Sequence, residues 1–163
     1  MSAQLSYNFG TPFGAAGGIV DLAPYEIDTY LNEEATGVMG FGMAAAQGTT
    51  AGTFVKLPAA STAVIEGITV NNRSTEYDLD GNLRIINKAA IGVMRYGRVY
   101  GKLATNVTPA FGDAVYVVYS GDDKGCFTTS SSSTIAINAR FVSGASNGVA
   151  MIELQQPNIV DAT

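Results

Sequence analysis

The 163-residue chain is predicted to be all-β: a compact barrel or sandwich of about eight short strands with an extended N-terminal arm. Short apolar alternations recur over 93–100, 111–117, 125–128, 139–142 and 149–154. Each is closed by Gly, Asp or Ser, residues that turn the chain because they tolerate left-handed backbone or bond to it locally. No segment brings together side chains for chemistry. Function is therefore expected to lie in the surface, in binding or building.

The elements follow in order. Residues 1–26 read as an arm, 27–154 as the β domain and 155–163 as a tail. In the arm Gly10, Gly14, Gly17, Gly18, Pro12 and Pro24 erase any period, while Tyr7, Phe9, Phe13, Ile19 and Val20 supply apolar anchors. Anchors suit an arm docked on another subunit; disorder is the alternative. Residues 25–35 are expected to form a short helical turn, opened by Pro24 and closed by Gly37, although Glu33 and Glu34 late in it oppose the helix dipole. Residues 37–48, rich in Gly and Ala, read as a buried strand with close backbone approach. Phe54-Val-Lys-Leu57 stops at Pro58, and 64–70 alternates with Val64, Glu66, Ile68 and Val70 on one face. Asp80-Gly81 is the strongest hairpin signal, inside the polar stretch 71–90.

Residues 91–103 form the longest predicted strand. Ile91, Val93, Val99 and Leu103 share one face; Met94, Tyr96, Arg98, Tyr100 and Lys102 share the other, with a bulge or bend at Gly97 and Gly101. Residues 107–113 connect, and 114–119 is a continuous apolar run that suits burial on both faces. After a turn at 120–125 and a serine-rich tip at 130–133, residues 134–142 alternate through Ile135, Ile137, Ala139 and Phe141. A turn at 143–148 leads to the last strand, 149–154.

Composition narrows the function classes. Apolar residues make up 47% and charged residues 14%, against about a quarter in ordinary domains. A chain so sparsely charged is expected to cover part of its surface with partners. With no histidine and one cysteine, an internal disulfide is impossible and a Cys/His zinc site is not expected. Cys126 reads as a buried, inert thiol. No basic leader with an apolar core occurs, and no run reaches the roughly 18 apolar residues of a membrane helix, so synthesis in a reducing cytoplasm without a membrane partner is expected. Net charge is −5, unevenly spread. Residues 1–55 hold Asp21, Glu26, Asp28, Glu33 and Glu34 without a cation; residues 81–112 hold Arg84, Lys88, Arg95, Arg98 and Lys102 without an acid. This fits head-to-tail association, an acidic arm over a neighbour's basic strand, as well as two solvated faces.

Catalysis has little to work with. Asp122 and Asp123 are adjacent and would point to opposite faces of a strand; Asp78 and Asp80 flank a hairpin turn. Asp78-Leu-Asp80-Gly-Asn82 faintly matches a calcium loop, but its glycine falls at the fourth place rather than the sixth, and Ala89 stands at the twelfth. Tyr96, Arg98, Tyr100 and Lys102 suggest a nucleic-acid platform, yet the chain is acidic, and such a ladder equally grips a protein surface. No cofactor, metal or nucleic acid is expected. A host-surface or glycan-binding module is a second class, weakened by the absence of Trp, and a carboxylate hydrolase a third.

Taken in order, the segments resemble the tailed-phage head decoration, or structural cement, proteins. The resemblance runs through Gly40-Phe-Gly-Met-Ala-Ala45, Val55-Lys-Leu-Pro58, Ile65-Glu-Gly-Ile-Thr69, Met94-Arg-Tyr-Gly-Arg-Val-Tyr100, Gly112-Asp-Ala-Val-Tyr-Val117, Gly125-Cys-Phe-Thr128, Ala139-Arg-Phe-Val142 and Ala150-Met-Ile-Glu-Leu154. It covers roughly residues 37–154. It implies a virion protein on the outer capsid surface that bridges major capsid protein subunits, commonly as a homotrimer, with no catalytic residues. On that reading Tyr7, Phe9 and Phe13 anchor the arm, and Arg95, Arg98 and Arg140 make charged capsid or subunit contacts.

Overall fold

The structure, a computed structural model, describes residues 13–71, 76, 77, 79, 81 and 83–155. Among them there are eleven strands and no helix, hence none long and apolar enough to cross a membrane. The strands are β1 (Glu26–Asn32), β2 (Ala44–Gln47), β3 (Phe54–Lys56), β4 (Ile65–Val70), β5 (Glu76–Tyr77), β6 (Leu83–Arg84), β7 (Ala90–Lys102), β8 (Ala114–Val118), β9 (Phe127–Thr128), β10 (Thr134–Phe141) and β11 (Val149–Leu154). The surplus over the expected eight or so consists of β1, where a helical turn was expected, and the two-residue strands β5 and β6 of the hairpin.

The long strand organises the molecule. The first half of β7 joins β4 on one side and β1 on the other; β1 pairs with β3, β3 with β2, and β2 with β4. That circuit closes a five-stranded barrel and leaves no free edge within it. The second half of β7 leaves the barrel and pairs with β11, which continues through β10 and β8 to β9. One parallel bridge, Leu103↔Phe127, with a bond from Ala104 N–H to the Phe127 carbonyl at 2.9 Å, turns β9 back towards β7.

Burial follows this double use of β7. Ile91 and Val93 belong to one apolar cluster with Tyr30, Met39, Phe41, Val55 and Cys126. Met94 and Val99 belong to the other, with Ile68, Val117, Phe127, Phe141, Ile152 and Leu154. Each fully buried side chain of this size contributes about 1.5–3 kcal/mol relative to exposure. The buried Thr69 hydroxyl meets its hydrogen-bonding needs by donating to the Gly40 carbonyl at 2.8 Å and accepting from Met43 N–H at 3.0 Å.

Four expectations are corrected. Residues 25–35 do not form a helical turn: β1 occupies Glu26–Asn32, because partners on both sides outweigh a marginal helix. The acids that opposed the helix dipole stitch its end instead. Glu34 accepts Leu57 N–H at 2.9 Å, and Glu33 accepts Thr49 N–H at 2.7 Å and the Thr49 hydroxyl. These bonds hold the exposed Glu33 carboxyl below the ordinary carboxylate range. In 37–48 only Ala44–Gln47 is a strand; the residues before it turn, tucking in Met39, Phe41 and Met43. The predicted face of 64–70 does not hold, since Val64 is exposed and Gly67 and Thr69 are buried beside Ile68 and Val70; a register shift against Ala45/Ala46 resets the alternation. β8 buries one face only, through Val115 and Val117. The hairpin is present as β5–β6 around Gly81 at positive φ; Asp78, Asp80 and Asn82 lie outside the described residues, and with them the calcium-loop reading.

Candidate interaction surface

The arm, from Phe13 on, is packed against its own domain. It runs antiparallel along the second half of β7, on the line that β1 follows along the first half. Gly17 N–H donates to the Tyr100 carbonyl at 2.8 Å, Tyr100 N–H to the Gly18 carbonyl at 2.9 Å, and Val20 N–H to the Arg98 carbonyl at 3.1 Å. On its far side Asn71 N–H donates to the Gly17 carbonyl at 2.8 Å. Such close approach needs glycines. A Cβ on Gly17 (φ +77) would lie 2.8 Å from Asn71 N and Phe41 Cβ; one on Gly42 (φ +68) would lie 2.7 Å from Gly17 N and the Tyr100 carbonyl oxygen. Phe13 rests its ring against Tyr100 with centroids 5.7 Å apart and stays partly exposed.

Between arm and β1, residues 21–25 step out over Gly97. That glycine has φ +118, where a side chain is strained, and Tyr25 Cβ fills the place its own Cβ would take. The step changes what β7 shows. Tyr96 and Arg98 face solvent on either side of Gly97, whereas Tyr100 is buried beneath the arm. The expected ladder of Tyr96, Arg98, Tyr100 and Lys102 is therefore not an open platform: its second aromatic is covered by residues 13–18. A groove of about 400 Å³ runs beside the step, lined by Ala23, Pro24, Tyr96, Arg98, Glu153 and Gln155 among others.

Strand register sets a row of charges across this face. Glu153 lies opposite Arg98 on β7 and opposite Arg140 on β10. Arg98 Nε reaches Glu153 Oε2 at 2.8 Å, Arg140 Nη2 reaches Oε1 at 2.9 Å, and Arg98 Nη1 reaches Asp21 Oδ2 of the arm at 3.0 Å. Burial pushes the Glu153 carboxyl up, but bonds from Arg98 and Arg140 outweigh it and hold the group below the ordinary range; Gln155, at 3.5 Å, is too distant to matter much. Each pair has an exposed guanidinium, so water and salt screen it and it adds little to stability. The row ends where Arg140 stands 5.8 Å from the ring centroid of Phe111, which is 71% exposed. Leu22, 96% exposed, follows Asp21 in the chain at the other end.

The structure thus brings Arg98 and Arg140 together through Glu153 and sets Arg95 apart. Arg95 pairs with Asp28 at 2.9 Å near Tyr30, whose phenol is pushed up first by burial and then by Glu66. Phe13 belongs to the arm, and Tyr7 and Phe9 lie outside the described residues. Acidic N-terminal and basic central stretches meet within one chain, at Asp21–Arg98 and Asp28–Arg95. Glu153, Phe111 and Leu22 were missed from sequence. Glu153 had a signal, as the lone acid in an otherwise apolar strand; Leu22 and Phe111 had none, because their neighbours read as ordinary connectors.

Catalytic arrangements do not emerge from the described residues. Asp123 is occupied by the turn, accepting Thr105 N–H at 2.9 Å and the Thr105 hydroxyl at 3.1 Å. Cys126 is buried, and burial pushes its thiol up, away from the reactive thiolate. No group of three or more His, Cys, Asp or Glu could hold a metal among the described residues.

The described residues thus form an all-β scaffold with a strapped-down arm and an apolar-flanked charge row. Residues 3–155 match the family model of phage structural cement proteins (E217 gp24/Pam3 gp6), and the chain belongs to that family. Its fold is shared by a chain in the solved structure "The capsid of Myoviridae Phage XM1", with a TM-score of 0.72 and 16% identity over 96% of this chain and 99% of that one. No curated protein matches. The protein is a phage structural cement protein, a component of the virion.

Proposed function

We propose that this protein decorates the outer surface of a phage head and stabilises it by bridging major capsid protein subunits, gathering as a homotrimer and doing no chemistry. The observation that carries the reading is the face around Gly97. There Leu22, Tyr25 and Tyr96 lie exposed beside the row Asp21–Arg98–Glu153–Arg140, with Phe111 at its far end. Exposed aromatics around arginines are the composition of binding centres. Phe13, Arg98 and Arg140 are the contact residues favoured on this face, and Arg95 lies at its margin.

Cementing works by geometry. A protein bound across a seam must lose its contacts before the seam parts, so an interface of roughly 800 Å² per partner suffices. Several copies held together multiply modest contacts through effective concentration. Ordering an arm costs about 1–2 kcal/mol per residue, and residues 17–20 already have a bonded place along β7, which spares part of that cost on docking.

The test is sedimentation of the protein with expanded, undecorated shells through a gradient, with unexpanded shells as control. Saturable binding at a fixed ratio to the major capsid protein, with shells that resist higher temperature, is expected. Absence of binding to expanded shells would refute the reading.

A further inference from the structure

We propose that the second half of β7 is a strand-acceptor seat, and that in the oligomer residues 13–21 of a second copy occupy it in place of the chain's own. This deepens the reading that copies gather at one place on the head, by naming what joins them. Its test needs no shell, so the two ideas can fail separately.

Four observations carry it. The seat is fully formed by backbone: Tyr100 N–H and carbonyl, the Arg98 carbonyl and Asn71 N–H all face the arm. What sits in it is the small-residue run Gly14-Ala-Ala-Gly-Gly18 over the buried Tyr100 ring; release bares that ring, so the seat demands an occupant, and the identical run of a second copy refits it. The charged clasp Asp21–Arg98 links arm to seat, and the same pair is repeated when the arm of a second copy takes the place. Residues 22–25 between arm and β1 have the character of a hinge: Leu22 is 96% exposed, Tyr25 is 47% exposed, and the stretch steps out beside Gly97 without entering either core cluster. Exposed apolar side chains at such a step are expected to find cover when a neighbour approaches.

Exchange of identical segments repeats every contact and changes only the hinge, so it costs little beyond association. In the free chain the tether holds the arm at an effective concentration on the order of mM, so self-closure prevails when dilute. Copies packed at one position on a lattice escape that limit.

Single-cysteine chains, built on a Cys126→Ala background, separate the two states. Ile19 and Val99 form a narrow pair, flanked by the Val20–Arg98 and Tyr100–Gly18 bonds, whose Cα atoms stand about 4.5 Å apart, within disulfide range. Mixing Ile19→Cys chains with size-tagged Val99→Cys chains allows a 19–99 disulfide only by exchange. Val99→Cys with Ser132→Cys is the control, Ser132 lying in an exposed loop. At about 1 mM the 19–99 heterodimer should exceed the control at least tenfold and fall away at about 1 μM. A second pair, Asp21→Cys with Arg98→Cys joined by a short bismaleimide, uses exposed positions and keeps the test independent of the buried Val99. Cross-linking no greater than control at 1 mM with either pair, in folded protein, overturns the proposal.

Discussion

β1 and the arm lie along one line beside β7 but are held differently. β1 faces Ala90–Tyr96 over six paired positions, buries Tyr30, and hydrogen-bonds to β3 on its other side, so that removing it opens the barrel. The arm faces Arg98–Tyr100 through one bridge, a few backbone bonds, one ion pair and one ring contact. The lesson is that one strand carries a permanent stave and a removable strap, and that Gly97 divides them. Free energy of opening is expected to differ accordingly between the two halves.

Substitutions should expose that difference, the largest effect lying in the barrel. Ile91→Ala removes a buried side chain from the closed half and is expected to lower global stability by about 2–5 kcal/mol in denaturant titrations. Gly17→Ala should act on the strap alone. The Tyr100 amide loses its hydrogen-exchange protection while the amides of β1 keep theirs, and global stability falls by no more than about 2 kcal/mol. Equal loss of protection in both would erase the distinction.

Electrostatic effects come next. Glu153→Gln should cost about 1 kcal/mol near neutral pH, less in high salt. The sign of the pH dependence follows from the lowered carboxyl. Its stabilisation is complete above the ordinary value of 4.5 and disappears as pH falls through the lower folded value. The wild-type protein should therefore lose stability over that acid range more steeply than the Gln variant. Parallel pH profiles for the two would show that the Glu153 pairs contribute nothing. Asp21→Asn is the mildest change and should appear as faster exchange at Tyr100 with no shift in the unfolding midpoint.

Much of this was legible in the sequence. Strands β7, β10 and β11 are long enough for alternation to declare them, and Gly97 marked its own bend. What failed had a physical cause. β1 reads as a helix because its burial is set by β3 and β7, far away in sequence, and because its terminal acids bond to Thr49 and Leu57, which no local pattern records. The ladder on β7 looked like an open platform because nothing in Tyr100 announces that Phe13 and three glycines will cover it. The arginines were found, but Glu153, which joins two of them, is a register effect visible only once β10, β11 and β7 are aligned.

The central claim is that the face around Gly97 grips the capsid. Its most direct test is competition for expanded shells between the wild-type protein and a Leu22→Ser, Tyr96→Ser, Phe111→Ser variant, all three positions being exposed and outside the core clusters. The account predicts an unchanged unfolding midpoint and shell occupancy reduced at least tenfold, which corresponds to about 1.4 kcal/mol or more of binding free energy. A variant that competes on equal terms would contradict it and move the binding surface elsewhere on the domain.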